Sequence, residues 1–134
     1  MMQDRLDPAE LRARLRELLA AHAEIDFAYL FGSFADGLPY HDVDVAVFLR
    51  PAPAPATVFD YEMDLSVALT LALHVEVDVH VLNGAPRGFQ HAVLHGQPLL
   101  VRDEERLTDF IEEIGLEVME FAYLADLYLR EVLT

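Results

Sequence analysis

The chain contains no cysteine and no tryptophan, and it has no long uninterrupted apolar segment. The lack of cysteine excludes disulfide bonds and thiolate metal sites, and it is typical of a cytoplasmic protein. Although 54% of the residues are hydrophobic, no run approaches the roughly 20 residues needed to span a bilayer. The segment Met1–Arg5 has no apolar core of a signal peptide. We therefore expect a cytoplasmic protein that does not contact a membrane.

Basic residues are also scarce, since the nine cationic side chains are all arginine and stand against 24 acidic ones. The resulting net charge of −15 would repel a phosphate backbone, so direct binding of nucleic acid is not expected. A triphosphate is a different ligand, because metal ions can bridge protein carboxylates to its phosphates. The acidic excess also fits a basic protein partner, or simply a solubilising surface.

A length of 134 residues predicts a single domain, residues 1–134, with a sizeable core. Short apolar runs alternate with segments whose apolar residues recur at helical spacing. Strands are expected at residues 27–31, 43–49, 75–82 and 99–102, and helices at residues 7–23, from Thr57, at 89–94 and at 103–133. This order predicts an α/β (α+β) fold, with a small mixed sheet of three or four strands, helices packed on one face and a long C-terminal helix.

The chemically informative stretch lies between the first two predicted strands. Gly32 and Ser33 follow the first strand, and Asp42 and Asp44 open the second. A glycine after a strand lets the backbone approach a phosphate, and the Ser33 hydroxyl adds a hydrogen-bond donor. Because side chains alternate along a strand, Asp42 and Asp44 are expected on the same face of the sheet.

A third carboxylate, Asp78, lies in the third predicted strand among alternating valines. If the second and third strands are neighbours, Asp42, Asp44 and Asp78 converge on the helix-free face of the sheet. Carboxylates that close raise one another's pKa unless a cation neutralises them, and Mg²⁺ favours such oxygen ligands. An isolated Asp-x-Asp is more often a pair of solvated residues, but the preceding Gly-Ser turn favours a functional interpretation.

Together these residues resemble the minimal nucleotidyltransferases (MNT) of the polymerase-β-like superfamily. Gly32-Ser33, Asp42-Val43-Asp44 and Asp78 match in order the Gly-Ser turn, the Asp-x-Asp and the later aspartate of that family. The resemblance extends over roughly residues 10–130, through His95 to Leu100 and the terminal helix. It implies the polymerase-β-like nucleotidyltransferase fold.

Chains of this size resemble the antitoxin half of two-gene pairs whose other half is a HEPN ribonuclease toxin. The resemblance implies that AMP is transferred from ATP to a tyrosine of the toxin, silencing it, with the two proteins forming a hetero-oligomer. Asp42 and Asp44 would then hold two Mg²⁺ ions. Asp78 would bind the catalytic ion and draw the proton from the acceptor hydroxyl. Gly32 and Ser33 would fix the outer phosphates.

Two alternatives remain open at the level of sequence. The protein could be a binding-only antitoxin that blocks its toxin by occlusion, or a nucleotidyltransferase for a small molecule. Three further residues, His41, His80 and Arg87, could contact metal or phosphate, but surface roles suit them at least as well. No motif specifies the nucleotide, the acceptor residue, the number of AMP units or the oligomeric state.

Overall fold

A computed structural model describes residues 6–133, apart from the side chains of residues 116–121 and 133. The helices are α1 (Pro8–Ala20), α2 (Gly32–Ala35), α3 (Val58–Leu73), α4 (Arg87–Leu94) and α5 (Glu104–Leu133), with a 3₁₀ turn at Pro55–Thr57. The strands are β1 (Ile25–Phe31), β2 (Asp42–Leu49), β3 (Glu76–Val81) and β4 (Gln97–Val101). All the predicted elements are present, and α2 is an addition. None of the helices within the described residues is long and apolar enough to cross a bilayer.

The four strands form one mixed sheet in the order β3-β2-β1-β4. Strands β2 and β3 are parallel, whereas β1 is antiparallel to both β2 and β4. The parallel register places Asp44 opposite Asp78, and the antiparallel register places Phe31 opposite Asp44. The predicted α/β class and the small mixed sheet are confirmed, and the aspartate strands are neighbours.

One face of the sheet packs against α1 and α3. Val45 and Val47 of β2 meet leucines of both helices in the larger of two buried clusters. Each of these valines is fully buried, and such burial contributes about 1.5 to 3 kcal/mol relative to exposure. Helix α1 begins where predicted, because the Asp7 carboxylate accepts a hydrogen bond from the Glu10 N–H at 2.9 Å.

The expectation that helices pack on one face only is wrong, because α4 and α5 cover part of the other face. Ala46 and Phe48 continue the face of β2 that carries the aspartates, and both are apolar. The Phe48 ring stacks on Phe27 at 5.0 Å and lies 5.1 Å from Phe110 of α5. An amphipathic helix must bury its apolar side, and this aromatic surface receives it. The aspartate end of the same face stays half-exposed.

Candidate active site

Gly32 brings the backbone against one of the aspartates at the point where β1 passes into α2. Its φ of +80° lies in the left-handed region, which favours glycine. A Cβ atom at this position would lie 2.6 Å from Oδ2 of Asp44. The neighbouring Ser33 is half-buried in the same short helix. The turn and the Asp-x-Asp, which are predicted from separate parts of the chain, are therefore in contact.

The three aspartates lie together, as strand alternation predicts. Asp42, Asp44 and Asp78 each offer a carboxylate oxygen, and these oxygens lie within 4.8 Å of one another. All three side chains are half-buried, so they can meet a ligand from solvent. Convergence is thus a property of the fold, whereas the chemical role of these residues stays a prediction.

The surroundings of the cluster disfavour the charged form of two of its members. Burial raises the pKa of Asp44, and the negative charges of Asp42 and Asp78 raise it further. Burial is also the largest cause of the raised pKa of Asp78, followed by its hydrogen bond and charge interaction with Asp42. A divalent cation would remove this penalty, since it neutralises the carboxylates and accepts hard oxygen ligands. The donor set therefore fits Mg²⁺.

His80 lies on the same face as the aspartates and partly opposes this effect. Its Nε2 is 4.0 Å from Oδ1 of Asp44, and its positive charge would lower the pKa of Asp44 and Asp78. The imidazole also lies 5.5 Å from the ring of Phe31 and 5.7 Å from that of Phe89. The sequence could have predicted the position of Phe31, because strand alternation places it on the same face of β1 as Phe27. Phe89 belongs to α4, and no local pattern predicts its contact with His80.

The other two secondary candidates differ from His80 in their surroundings. His41 is exposed in the residue before β2. Arg87 donates a hydrogen bond to Gln90 at 2.8 Å and forms an ion pair with Glu113 at 2.8 Å. Its guanidinium thus ties α4 to α5. These contacts favour a structural role for Arg87 over the predicted contact with phosphate.

Residues 13–105 match the sequence model of the polymerase beta nucleotidyltransferase family. This range is more than half of the chain and includes the whole acidic cluster. The chain belongs to the polymerase beta nucleotidyltransferase family. Membership confirms the predicted fold and identifies the protein as a nucleotidyltransferase. Together with the acidic cluster, it indicates use of a nucleotide and a metal ion.

Solved structures with this nucleotidyltransferase fold can be superposed on almost the whole chain. One is a complex of tri-AMPylated HEPN toxin with MNT antitoxin from Shewanella oneidensis, with 19% identity, a TM-score of 0.69 and coverage of 95% of this chain and 99% of that one. The toxin–antitoxin pair MntA–HepT gives 17% identity, a TM-score of 0.67 and coverage of 94% and 99%.

A toxin–antitoxin structure with AMP-PNP gives 18% identity, a TM-score of 0.67 and coverage of 96% of this chain and 100% of that one. At these identities the likeness establishes the fold. No curated protein matches the chain in sequence.

Proposed function

We propose that this nucleotidyltransferase is an antitoxin that transfers AMP from ATP to a tyrosine hydroxyl of a partner HEPN toxin and thereby silences it. The observation that carries the proposal is the convergence of Asp42, Asp44 and Asp78 beside the Gly32 turn. Two similar structures support the choice of substrates, because one contains tri-AMPylated HEPN toxin with MNT antitoxin and another contains AMP-PNP.

In this proposal the three aspartates hold Mg²⁺, with two ions as the expected number. When bound, the metal would neutralise charge that develops on the phosphate oxygens as the nucleotide is transferred. Gly32, which has no side chain, lets the backbone approach the outer phosphates, and the Ser33 hydroxyl donates a hydrogen bond to them. These residues accelerate transfer by positioning the reactants and by stabilising charge.

Asp78 is the proposed acceptor of the proton from the attacking hydroxyl. The acceptor oxygen forms a bond to the α-phosphorus of ATP. The bond between the α-phosphorus and the oxygen that bridges to the β-phosphate breaks, and pyrophosphate leaves. The Asp78 carboxylate lies in the cluster with Asp42 and Asp44, where it can accept that proton. Asp42 and Asp44 remain ionised as ligands in this scheme.

The proposal is tested by co-expressing the protein with the HEPN protein encoded by the neighbouring gene and measuring the intact mass of that partner. We expect a gain of one or more AMP units with the wild type and none with Asp42→Asn/Asp44→Asn. A matched control is Asp109→Asn/Glu112→Gln, which removes two exposed charges from α5 and should leave the mass gain intact.

Two other outcomes would reject AMP transfer to a protein. An unmodified partner that still co-purifies and is still inhibited would identify a binding-only antitoxin. A partner that neither binds nor gains mass would leave a small molecule as the acceptor.

A further inference from the structure

Helix α3 has a second apolar side that faces away from the core. Leu65, Leu69 and Leu73 already bury one side of the helix against the sheet. Four other apolar residues, here called the α3 stripe, are exposed at four-residue spacing: Phe59 (68%), Met63 (47%), Val67 (51%) and Leu71 (71%). Single exposed apolar residues are ordinary, but a row along one helix side is typical of a binding surface.

The α3 stripe lies beside the outer edge of the sheet. Strand β3 is an edge strand, and three polar side chains of α3 accept hydrogen bonds from its outward N–H groups. Glu62 accepts from Val81 at 2.8 Å, Ser66 from Val79 at 2.9 Å and Thr70 from Val77 at 3.0 Å.

These three side chains occupy donors that an added strand would need, so strand addition at this edge is disfavoured. Each stripe residue from Met63 onwards directly follows one of the three polar residues. A protein that approaches this edge therefore meets the stripe rather than a free strand. A row at four-residue spacing forms a ridge that packs into the grooves of another helix.

The charges around the stripe select the kind of partner. No lysine or arginine occurs between Arg50 and Arg87, a segment that contains all of α3 and β3. The exposed Asp60 and Asp64 lie next to the stripe on α3, and the exposed Glu76 begins β3. A second copy of this chain would bring two such acidic surfaces together, whereas a partner rich in lysine or arginine would be attracted.

We propose that the α3 stripe is the surface on which the protein acceptor docks, through an apolar helix side flanked by lysine or arginine. This inference rests on the proposed transfer of AMP to a protein. Ser66 and Thr70 anchor α3 on both sides of Asp78 in β3, through the N–H groups of Val79 and Val77. Because α3 and the aspartates lie on opposite faces of the sheet, a partner held along α3 reaches the proposed base around the β3 edge. The stripe then acts in recognition rather than in chemistry.

The first test compares Val67→Glu with Ile111→Glu, two exposed apolar positions on different helices. The affinity of each variant for the HEPN protein encoded by the neighbouring gene is measured by calorimetry. We expect Val67→Glu to weaken binding at least about 100-fold, because a charge then enters an apolar contact, and Ile111→Glu to bind like the wild type. Wild-type affinity in Val67→Glu, or equal losses in both variants, would overturn the proposal.

A second measurement separates docking from folding and from chemistry. Val67→Glu and Leu71→Gln should keep the wild-type increase in melting temperature with Mg²⁺ and AMP-PNP, since both positions are exposed. At a saturating concentration of the HEPN protein, both should regain the wild-type rate of AMP transfer. If the maximal rate of AMP transfer stays low while the melting temperature still rises with Mg²⁺ and AMP-PNP, the stripe would take part in the reaction itself. That result would reject a docking role.

The acidic residues beside the stripe predict an affinity that depends on salt. Asp60→Asn/Asp64→Asn should weaken binding of the HEPN protein and reduce the dependence of affinity on salt. An affinity that does not change with salt in the wild type would contradict a basic partner. A wild type that sedimentation shows to be dimeric, and that Val67→Glu makes monomeric without loss of HEPN binding, would identify a second copy as the occupant.

Failure of the docking surface and failure of the proposed transfer are distinguishable. A HEPN protein that binds the wild type but not Val67→Glu, and that never gains AMP, would support the surface and reject the transfer. If the wild type and Val67→Glu transfer AMP to the HEPN protein at the same rate, with the HEPN protein below saturation, the result would reject the docking surface and support the transfer.

Discussion

Asp26 and Asp44 lie at opposite ends of the sheet and have opposite surroundings. Asp26 is only 5% exposed, and Arg106 donates hydrogen bonds to both of its carboxylate oxygens, at 2.7 and 2.9 Å. These bonds are the main reason why the pKa of Asp26 is lowered. Asp44 instead faces two more carboxylates, and its pKa is raised by burial and by their charge.

The difference separates a carboxylate that is paired within the protein from one that is proposed to bind a ligand. At Asp26 the cost of burying a charge is offset within the protein by Arg106, whose guanidinium comes from α5. Among the residues that the structure describes, no arginine offsets the cost at Asp44, and only His80 opposes it. A carboxylate whose burial the fold leaves uncompensated is a candidate for ligand chemistry. The comparison predicts opposite responses of the two residues to substitution.

The largest expected effect is on activity. Asp44→Asn should lower the rate of the proposed AMP transfer to a HEPN partner by at least about 1000-fold, because one proposed ligand of the metal and the charge that attracts it are lost. Asp26→Asn should keep the wild-type rate per folded molecule. Initial rates with labelled ATP, corrected for the folded fraction by circular dichroism, provide the measurement. Equal losses of transfer rate in the two variants would contradict the distinction between Asp44 and Asp26.

The next effect is on stability. Asp26→Ala should lower the free energy of unfolding by about 2 to 3 kcal/mol, less than for a fully buried pair because Arg106 is partly exposed. Denaturant titration at pH 7 measures this loss. Since the folded pKa of Asp26 is lowered, its contribution is complete above the ordinary value of 3.8 and is lost as the pH falls through the folded pKa. A loss that persists unchanged in strong acid would contradict the ion pair.

Two glycines in one segment sharpen the comparison at the active site. Gly32 and Gly37 both have positive φ, but a Cβ would meet Asp44 only at Gly32, whereas the space around Gly37 is open. Each change to alanine should cost about 1 to 2 kcal/mol of stability from backbone strain. Only Gly32→Ala should also slow the proposed AMP transfer, by about 30-fold, because it displaces an oxygen of Asp44, a proposed metal ligand. Equal rates in the two variants would show that the position of Asp44 does not depend on Gly32.

The smallest effect has the opposite sign to that of Asp26. In EDTA at pH 7, Asp44→Asn should raise the free energy of unfolding by about 0.5 to 1 kcal/mol, because a repelled and partly buried charge is removed. Since the folded pKa of Asp44 is raised, the wild type should approach the variant in stability as the pH falls through that value. A destabilised variant in EDTA would indicate that Asp44 is already compensated by the protein.

The sequence predicts the active-site end of the sheet better than the opposite end. Strand alternation is local, so Asp42, Asp44 and Asp78 could be assigned to one face once their strands were assumed to be neighbours. The ion pair of Asp26 with Arg106 joins residues 80 positions apart, and neither residue carries a local signal for the other.

The packing of α4 and α5 on the face that carries the aspartates could not be predicted for a related reason. Phe48 continues the face of Asp44, and the sequence analysis expects that face to be free of helices. Its stacking on Phe27 and its contact with Phe110 depend on where α5 crosses the sheet. That crossing is set by tertiary packing rather than by any periodicity within the strand.

The most direct test of the central claim is a calorimetric titration of Mg²⁺ with AMP-PNP into the wild type, Asp44→Asn and Asp26→Asn. If the uncompensated carboxylates form the metal and nucleotide site, the wild type and Asp26→Asn will bind with similar affinity, and Asp44→Asn will show no Mg²⁺-dependent binding. Mg²⁺-dependent binding of wild-type strength in Asp44→Asn would contradict the account.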